Sequence, residues 1–343
     1  MIDPPLRLRL DGDALVANWR WLAAKSGPAA CGAAVKADGY GLGARGVVDQ
    51  LIGVGCLDFF VATWGEAERL GHLPGGVSLS VLHGVRAEDM GFAVGAMARP
   101  TLNTAEQVMR WKAAGGGACD VMIDTGMNRL GLAVADVANG LLDGLQIETL
   151  MSHLSSADEN VAQNAAQQNA FAALRGMTSA RRMSLANSAG VCLGPDYMFD
   201  LTRPGLALYG GTPRGEAAGH IAQVAYPEAQ ILQRHRAGAG ESVGYNATFT
   251  AAHDTEVAIL NLGYADGYLR SFSNKGSAGG GRFPIIGRVS MDLIAVCVDA
   301  EPSLAEGDWL TLDYDLPTAS AVSGLSQYEL LTGLGARFRR YWT

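Results

Sequence analysis

Short apolar runs alternate with helix-like stretches through the first two-thirds of the chain. Runs at 30–37, 59–63, 78–83, 99–103, 120–124, 147–153, 182–187 and 197–203 read as strands. Helical stretches such as 104–114 and 160–176 lie between them. The first opens on Thr104 with Gln107 three residues on, the pattern of a capping box. Repeated strand–helix units specify a parallel sheet, and about eight of them specify a closed (β/α)8 barrel rather than an open sheet. A Gly/Pro/Ala-rich stretch at 210–219 reads as a linker. Beyond it, β-type runs at 228–234, 256–262, 284–289, 293–298 and 309–313 are broken by turns, as in a mostly antiparallel β domain. Leu6-Arg7-Leu8-Arg9-Leu10 alternates with period two ahead of the barrel pattern and is a candidate to pair with that C-terminal sheet. The expected architecture is α/β: a (β/α)8 barrel over 11–215, then a C-terminal mostly antiparallel β domain over 216–343 that also takes in 1–10.

Composition narrows the function classes. A length of 343 residues favours one large domain with a smaller one, and 48% hydrophobic residues can fill a sizeable core. A formal net charge of −8 argues against general affinity for nucleic acid or anionic membrane. Cys31, Cys56, Cys119, Cys192 and Cys297 form no CxxC pair, which disfavours a disulfide framework or a thiolate metal site, and no metal is expected. The N-terminus has no apolar signal-like region and no later run is long enough to span a bilayer, so a cytoplasmic location is expected. Lysine is rare, only Lys25, Lys36, Lys112 and Lys275, so a lysine within an apolar stretch stands out.

Catalytic groups of such barrels project from the C-terminal ends of the strands. Those ends carry Lys36, Asp124 to Arg129, His153, Asn187-Ser188 and Arg203, so an amine, two guanidiniums, an imidazole and a hydroxyl converge on one mouth. Singly, a strand-end lysine is as often a rim residue; together they are harder to dismiss. Gly41-Leu-Gly-Ala-Arg-Gly46 matches the dinucleotide fingerprint, with Asp58 or Glu66 as a ribose acid, but the motif alone is weak and follows an amine where a dinucleotide strand is apolar.

Ala33-Ala-Val-Lys36-Ala-Asp-Gly-Tyr40-Gly-Leu-Gly43 resembles the signature of the alanine racemase family. The likeness continues through Asp124-Thr-Gly-Met-Asn-Arg129, Ser152-His153, Ala186-Asn187-Ser188 and Arg203-Pro-Gly205-Leu206-Ala-Leu-Tyr209. In the second domain it includes Val243-Gly-Tyr245, Gly263-Tyr264-Ala-Asp-Gly267, Ser290-Met291-Asp292 and Tyr328-Glu-Leu-Leu-Thr. The lysine segment is shared with relatives that only bind the cofactor or decarboxylate amino acids; the tyrosine segments make the racemase reading specific.

The resemblance implies a fold-type III pyridoxal 5'-phosphate enzyme with Lys36 as covalent anchor. Tyr40, Ser188, the N–H groups of Gly205 and Leu206, and Tyr328 are implied to bind the phosphate, with Pro204 suited to open a short helix there. Arg203 is implied to face the pyridine nitrogen. Arginine keeps its proton near neutral pH, so that nitrogen stays unprotonated and the ring is a weaker electron sink, which disfavours transamination. Arg129 is implied to contact the cofactor phenolate and, with the Met291 backbone, the substrate carboxylate. Tyr264, Tyr328, Asp158, Arg270 and Arg288 are implied to line the entrance.

Racemisation needs a base on each face of the α-carbon. The resemblance assigns Lys36 to the D-face and Tyr245 to the L-face, with a network from Tyr245 through His153 to Arg203 favouring phenolate. Many family members carry a lysine, often carbamylated, two residues before the Asp-Thr-Gly motif; here Met122 stands in that place. Either a bound anion such as chloride replaces it, or neighbours such as Asn128 steer Arg129. The expected assembly is a homodimer with shared sites, acting on a small amino acid and supplying D-alanine for the cell wall. The alternatives are a racemase of another small amino acid such as serine, a non-catalytic pyridoxal-phosphate carrier, and a decarboxylase.

Overall fold

The computed structural model describes residues 3–343. Parallel strands Ala30–Cys31 continued by Ala33–Ala34, Asp58–Val61, Ser78–Val81, Arg99–Leu102, Cys119–Asp124, Ile147–Met151, Arg182–Ser184 and Leu201–Thr202 form the barrel wall in chain order. The last pairs with the first, and Asp200 N–H to the Met183 carbonyl (3.0 Å) with Arg203 N–H to the Ala186 carbonyl (2.8 Å) closes the remaining seam. Gly32 lies between the two pieces of the first strand, where a Cβ would lie 2.7 Å from the Asp58 carbonyl oxygen and only glycine fits. The helix Ala105–Ala113 is capped by Thr104, whose hydroxyl accepts from Gln107 N–H at 3.2 Å. The Gln107 side chain accepts from Asn103 N–H rather than from the cap residue, so the capping box is only half made.

The second sheet runs Ser277–Ala278, Phe283–Ile286, Ile294–Cys297, Thr255–Leu260, Ala225–Ala237, Leu6–Leu10 and Arg339–Trp342, with Trp309–Thr311 also on Ala225–Ala237. Its pairs are antiparallel except the last, where Leu6–Leu10 and Arg339–Trp342 run parallel. The first strand alternates buried and half-buried residues, so its three leucines enter the core while Arg7 and Arg9 face out. One buried apolar cluster runs from these leucines through the barrel helices and into the β domain.

The barrel interior is polar toward one end. Ser80 on the third strand donates to Asp120 on the fifth at 2.6 Å, and Arg182 on the seventh makes a two-point ion pair with Asp58 on the second at 2.7 and 3.0 Å. Bonds between non-adjacent strands have to cross the interior. Asp120 is fully buried, with Arg99 Nε at 3.5 Å, and its burial raises its pKa. Removing one partner of a buried pair strands the other charge and costs about 3–5 kcal/mol. Arg99→Met is therefore expected to lower unfolding stability by about that much in urea denaturation. Adding Asp120→Asn should recover a large part of it; a double variant no more stable than the single one would show that the pair is not the cause.

Candidate active site

The first strand ends at Ala34, and the next segment, Lys36–Tyr40, is a left-handed turn. Ala37, Asp38, Gly39, Tyr40 and Gly41 all have positive φ, at 52°, 54°, 64°, 55° and 87°. Each non-glycine residue held there costs roughly 1–2 kcal/mol, so the surroundings must hold the turn in place. Asp38 Oδ1 accepts from Ala44 N–H at 2.8 Å, and Arg340 Nε of the β domain donates to the Gly41 carbonyl at 2.8 Å. A Cβ at Gly41 would lie 2.6 Å from the Leu331 carbonyl oxygen, and one at Gly46 would lie 2.4 Å from the Trp342 indole nitrogen. Two of the three glycines of the dinucleotide-like motif thus serve close packing against the β domain.

The turn delivers Lys36 and Tyr40 to a cavity of ≈ 290 Å³ at the barrel mouth, lined also by Met122, Arg129, His153, Ser188, Arg203 and Tyr328. Gly205 and Leu206 belong to the same lining. Burial, followed by the charge of Arg129, lowers the Lys36 pKa from the usual lysine range; Glu66 opposes this and Arg203 adds to it. More of the amine is therefore neutral, and so nucleophilic, near pH 7. Burial, with the charges of Arg203, Arg129 and Lys36, pushes His153 down to about 3, so its imidazole is neutral across the physiological range. Arg203 is lowered by burial to about 10 and remains a cation at neutral pH. Its guanidinium donates to Ser184 Oγ and, at 2.6 Å, to the Ser152 carbonyl.

Asp124 builds the Arg129 loop. One carboxylate oxygen accepts from Gly126 and Met127 N–H (2.8 and 2.9 Å) and the other from Arg129 N–H (3.1 Å). The close return of that loop requires Gly131, where a Cβ would lie 2.5 Å from Asp124 N. Asn128 takes the left-handed conformation, φ 56°, immediately before Arg129. Met122 is buried and lines the same cavity. On the opposite side, Ser188 Oγ accepts from Gly205 N–H (2.9 Å) and Ala207 N–H (3.2 Å), while the Leu206 N–H is engaged by no described group. Gly205 itself caps the short helix Leu206–Tyr209, so Pro204 stands outside the helix rather than at its first position.

Pyridoxal phosphate fits this lining on the structure's own terms. A Cβ at Gly205 would lie 2.2 Å from Tyr40 Oη, so the backbone and the phenol make a cradle that a side chain would fill, beside the free Leu206 amide. An amine of lowered pKa lies in the same cavity, and a buried guanidinium paired to no carboxylate among the described residues lines it. Among the described residues no group of three His, Cys, Asp or Glu could hold a metal ion, and no helix is long and apolar enough to cross a membrane.

The β-domain residues are placed differently. Tyr245 opens a short helical turn, Tyr245–Ala247, and is 63% exposed; Met291 is 53% exposed. Neither lines this cavity, nor does Tyr264, whose ring lies 5.0 Å from the Arg270 guanidinium. Tyr328, on the helix Gln327–Thr332, is the β-domain residue that reaches the mouth. Asp158 and Tyr328 line an adjoining cleft with Met127 and Gln327. Arg288 is half-buried and Arg270 exposed, both away from the mouth lining. Sequence reasoning treated Glu66 only as a ribose acid. It instead lies at the third position of the helix Trp64–Leu70, where Thr63-x-x-Glu66 forms a complete capping box, a pattern readable from the sequence.

A family model described as "Alanine racemase, N-terminal domain" matches residues 10–213, and one described as "Alanine racemase, C-terminal domain" matches 224–342. An alanine racemase of Acidiphilium cryptum is 41% identical over an alignment 348 positions long, covering 97% of each chain. One of Methylobacterium nodulans is 39% identical over an alignment 363 positions long, covering 98% of this chain and 95% of that one. The crystal structure of alanine racemase from Bartonella henselae, with covalently bound pyridoxal phosphate, superposes with a TM-score of 0.91 at 33% identity over 100% of both chains.

Proposed function

The chain belongs to the alanine racemase family, and on that premise we propose a site in which Lys36 and Tyr245 are the two bases that interconvert L-alanine and D-alanine. The observation that carries the reading is the single cavity that gathers an amine of lowered pKa, a buried guanidinium paired to no carboxylate among the described residues, and an anion cradle. Bound there, pyridoxal phosphate supplies the electron withdrawal that acidifies the substrate α-hydrogen. Lys36 would anchor it, Tyr40, Ser188, Leu206 and Tyr328 would hold its phosphate with Gly205 leaving room for it, and Arg203 would serve its pyridine nitrogen. Arg203, a cation at neutral pH, would leave that nitrogen unprotonated and so would limit the negative charge the ring could take. Arg129 and the Met291 backbone orient the substrate carboxylate, and Tyr264 narrows the entrance.

Lys36 removes or returns the proton on one face of the α-carbon and Tyr245 acts on the other. A phenol of pKa near 10 is ionised to only about one part in a thousand at pH 7, a deficit of roughly 4 kcal/mol. His153, neutral throughout this range, can accept a hydrogen bond and so relay the influence of the Arg203 cation to the tyrosine. Because Tyr245 and Met291 are exposed on the β domain and lie outside the mouth of their own subunit, the proposed assembly is a two-fold head-to-tail dimer. The partner subunit's Tyr245 then completes each site. Exposed Leu269 and Leu293, close in sequence to Tyr264 and Met291, offer apolar surface for that contact. Five free thiols support a cytoplasmic location, and D-alanine made there would serve cell-wall synthesis. We divide the chain into a cofactor-binding barrel over 11–215 and a β domain over 216–343 that takes in residues 1–10, where the strand Leu6–Leu10 lies.

A panel of L-amino acids assayed for racemisation tests the reading. L-Alanine is expected to turn over fastest. L-Serine should follow within about a hundredfold, because an apolar pocket rejects an added hydroxyl by no more than that. Carbon dioxide release, or cofactor binding without racemisation of any member, would establish a decarboxylase or a carrier instead.

A further inference from the structure

We propose that Glu66 is a positioning residue for the cofactor anchor: its carboxylate clamps the left-handed turn that begins at Lys36 onto the end of the second barrel strand. The inference rests on Lys36 being that anchor.

One Glu66 oxygen accepts from Ala37 N–H at 2.9 Å. The other accepts from Ala62 N–H at 2.6 Å and Thr63 N–H at 3.3 Å. A single carboxylate thus gathers three main-chain donors from two neighbouring strand ends. Ala37 is the first left-handed residue of the turn, directly after Lys36, and its N–H has no other acceptor among the described residues. Without Glu66 that donor, which is exposed, passes to water, and the tie that fixes the start of the left-handed run is lost. Other bonds hold the turn, among them Gly39 N–H to the Val35 carbonyl (2.8 Å), Asp38 to Ala44 and Arg340 to Gly41, but the Ala37 N–H itself is taken by Glu66. The Glu66 charge also favours protonated Lys36 against Arg129 and Arg203, so the clamp and the amine are electrostatically linked.

The helix cap and the clamp can be separated. Thr63→Ala removes the hydroxyl that caps Glu66 N–H and frays the helix Trp64–Leu70, but leaves the Glu66 side chain on Ala37. Glu66→Gln keeps the size, loses the charge and turns an amide N–H₂ toward one set of donors. Glu66→Asp keeps the charge and the reach to Ala62 and Thr63 but is too short for Ala37.

The experiment compares holoenzymes of the wild type and these three variants by amide hydrogen exchange over 36–43, and by the rate at which hydroxylamine strips the cofactor. In Glu66→Gln and Glu66→Asp the turn should exchange faster and the cofactor should be lost roughly tenfold to a hundredfold sooner, the range for a lost charge-assisted hydrogen bond. Thr63→Ala should match the wild type in both. Wild-type exchange over 36–43 in both Glu66 variants overturns the clamp, as does a Thr63→Ala effect of equal size. Should Glu66→Gln not fold, Glu66→Asp alone decides. The exchange result concerns the protein's own amides, so it stands apart from a failure of Lys36 as anchor, which would show as a borohydride-fixed adduct on another lysine.

Discussion

Replacing Lys36 with alanine is expected to give colourless protein and to slow alanine racemisation by at least about a thousandfold, since it removes both the covalent anchor and a positioned base. The wild type should be yellow, and borohydride should fix the cofactor on one residue, located by mass spectrometry. Lys36 is the lysine that lines the mouth; Lys25 lies in the last turn of the helix Gly12–Ser26, Lys112 donates to the Leu141 carbonyl, and Lys275 follows a turn of the β domain. An adduct on any of those three, or full activity in Lys36→Ala, would overturn the assignment.

The second expectation concerns subunit exchange. Lys36→Ala and Tyr245→Phe proteins should each be nearly inactive, because each lacks the base for one face of the α-carbon. Mixed and allowed to exchange subunits, they should regain activity. In a mixed dimer one site loses both bases, and the other joins an intact Lys36 to an intact tyrosine of the partner. The return should approach half the wild-type rate per mixed dimer. If each subunit used its own tyrosine, every site would lack a base and mixing would restore nothing. Differently tagged subunits show that exchange has occurred before the rate is read.

The barrel was legible because its strands are short apolar runs set off by polar helices, and each of the eight runs has a strand in the structure. Legibility ends where distant contacts govern. Arg339–Trp342 has too little alternation to read as a strand and exists because it pairs in parallel with Leu6–Leu10, at the other end of the chain. The helices Leu316–Ser323 and Gln327–Thr332 are short, and the first is rich in small residues, so their periodicity is weak. At the site, strand-end positions pointed to the residues that share the cavity. The conformation that carries Lys36 was not legible. Of Ala37, Asp38, Gly39 and Tyr40 only the glycine, and more weakly the aspartate, signal positive φ; the run is held by main-chain bonds such as Gly39 N–H to Val35, together with Glu66, Asp38 on Ala44, and Arg340. Exposed Tyr245 and Met291 could be tied to the reaction only through resemblance, because no spacing in one chain encodes which subunit a residue serves.

The bond from Arg340 to the Gly41 carbonyl joins groups 299 residues apart. Its meaning changes when the chain is followed as it is made. Ribosomes add about 5–20 residues per second, so roughly 15–60 s separate the synthesis of the two ends of that bond. The barrel strands, which end at Thr202, are made within that interval, but the Lys36 turn lacks its C-terminal tie until the interval closes, and Leu6–Leu10 has Ala225–Ala237 to pair with well before Arg339–Trp342. The turn that carries Lys36 thus gains this bond only after Arg340 has been made, long after the strands of the barrel.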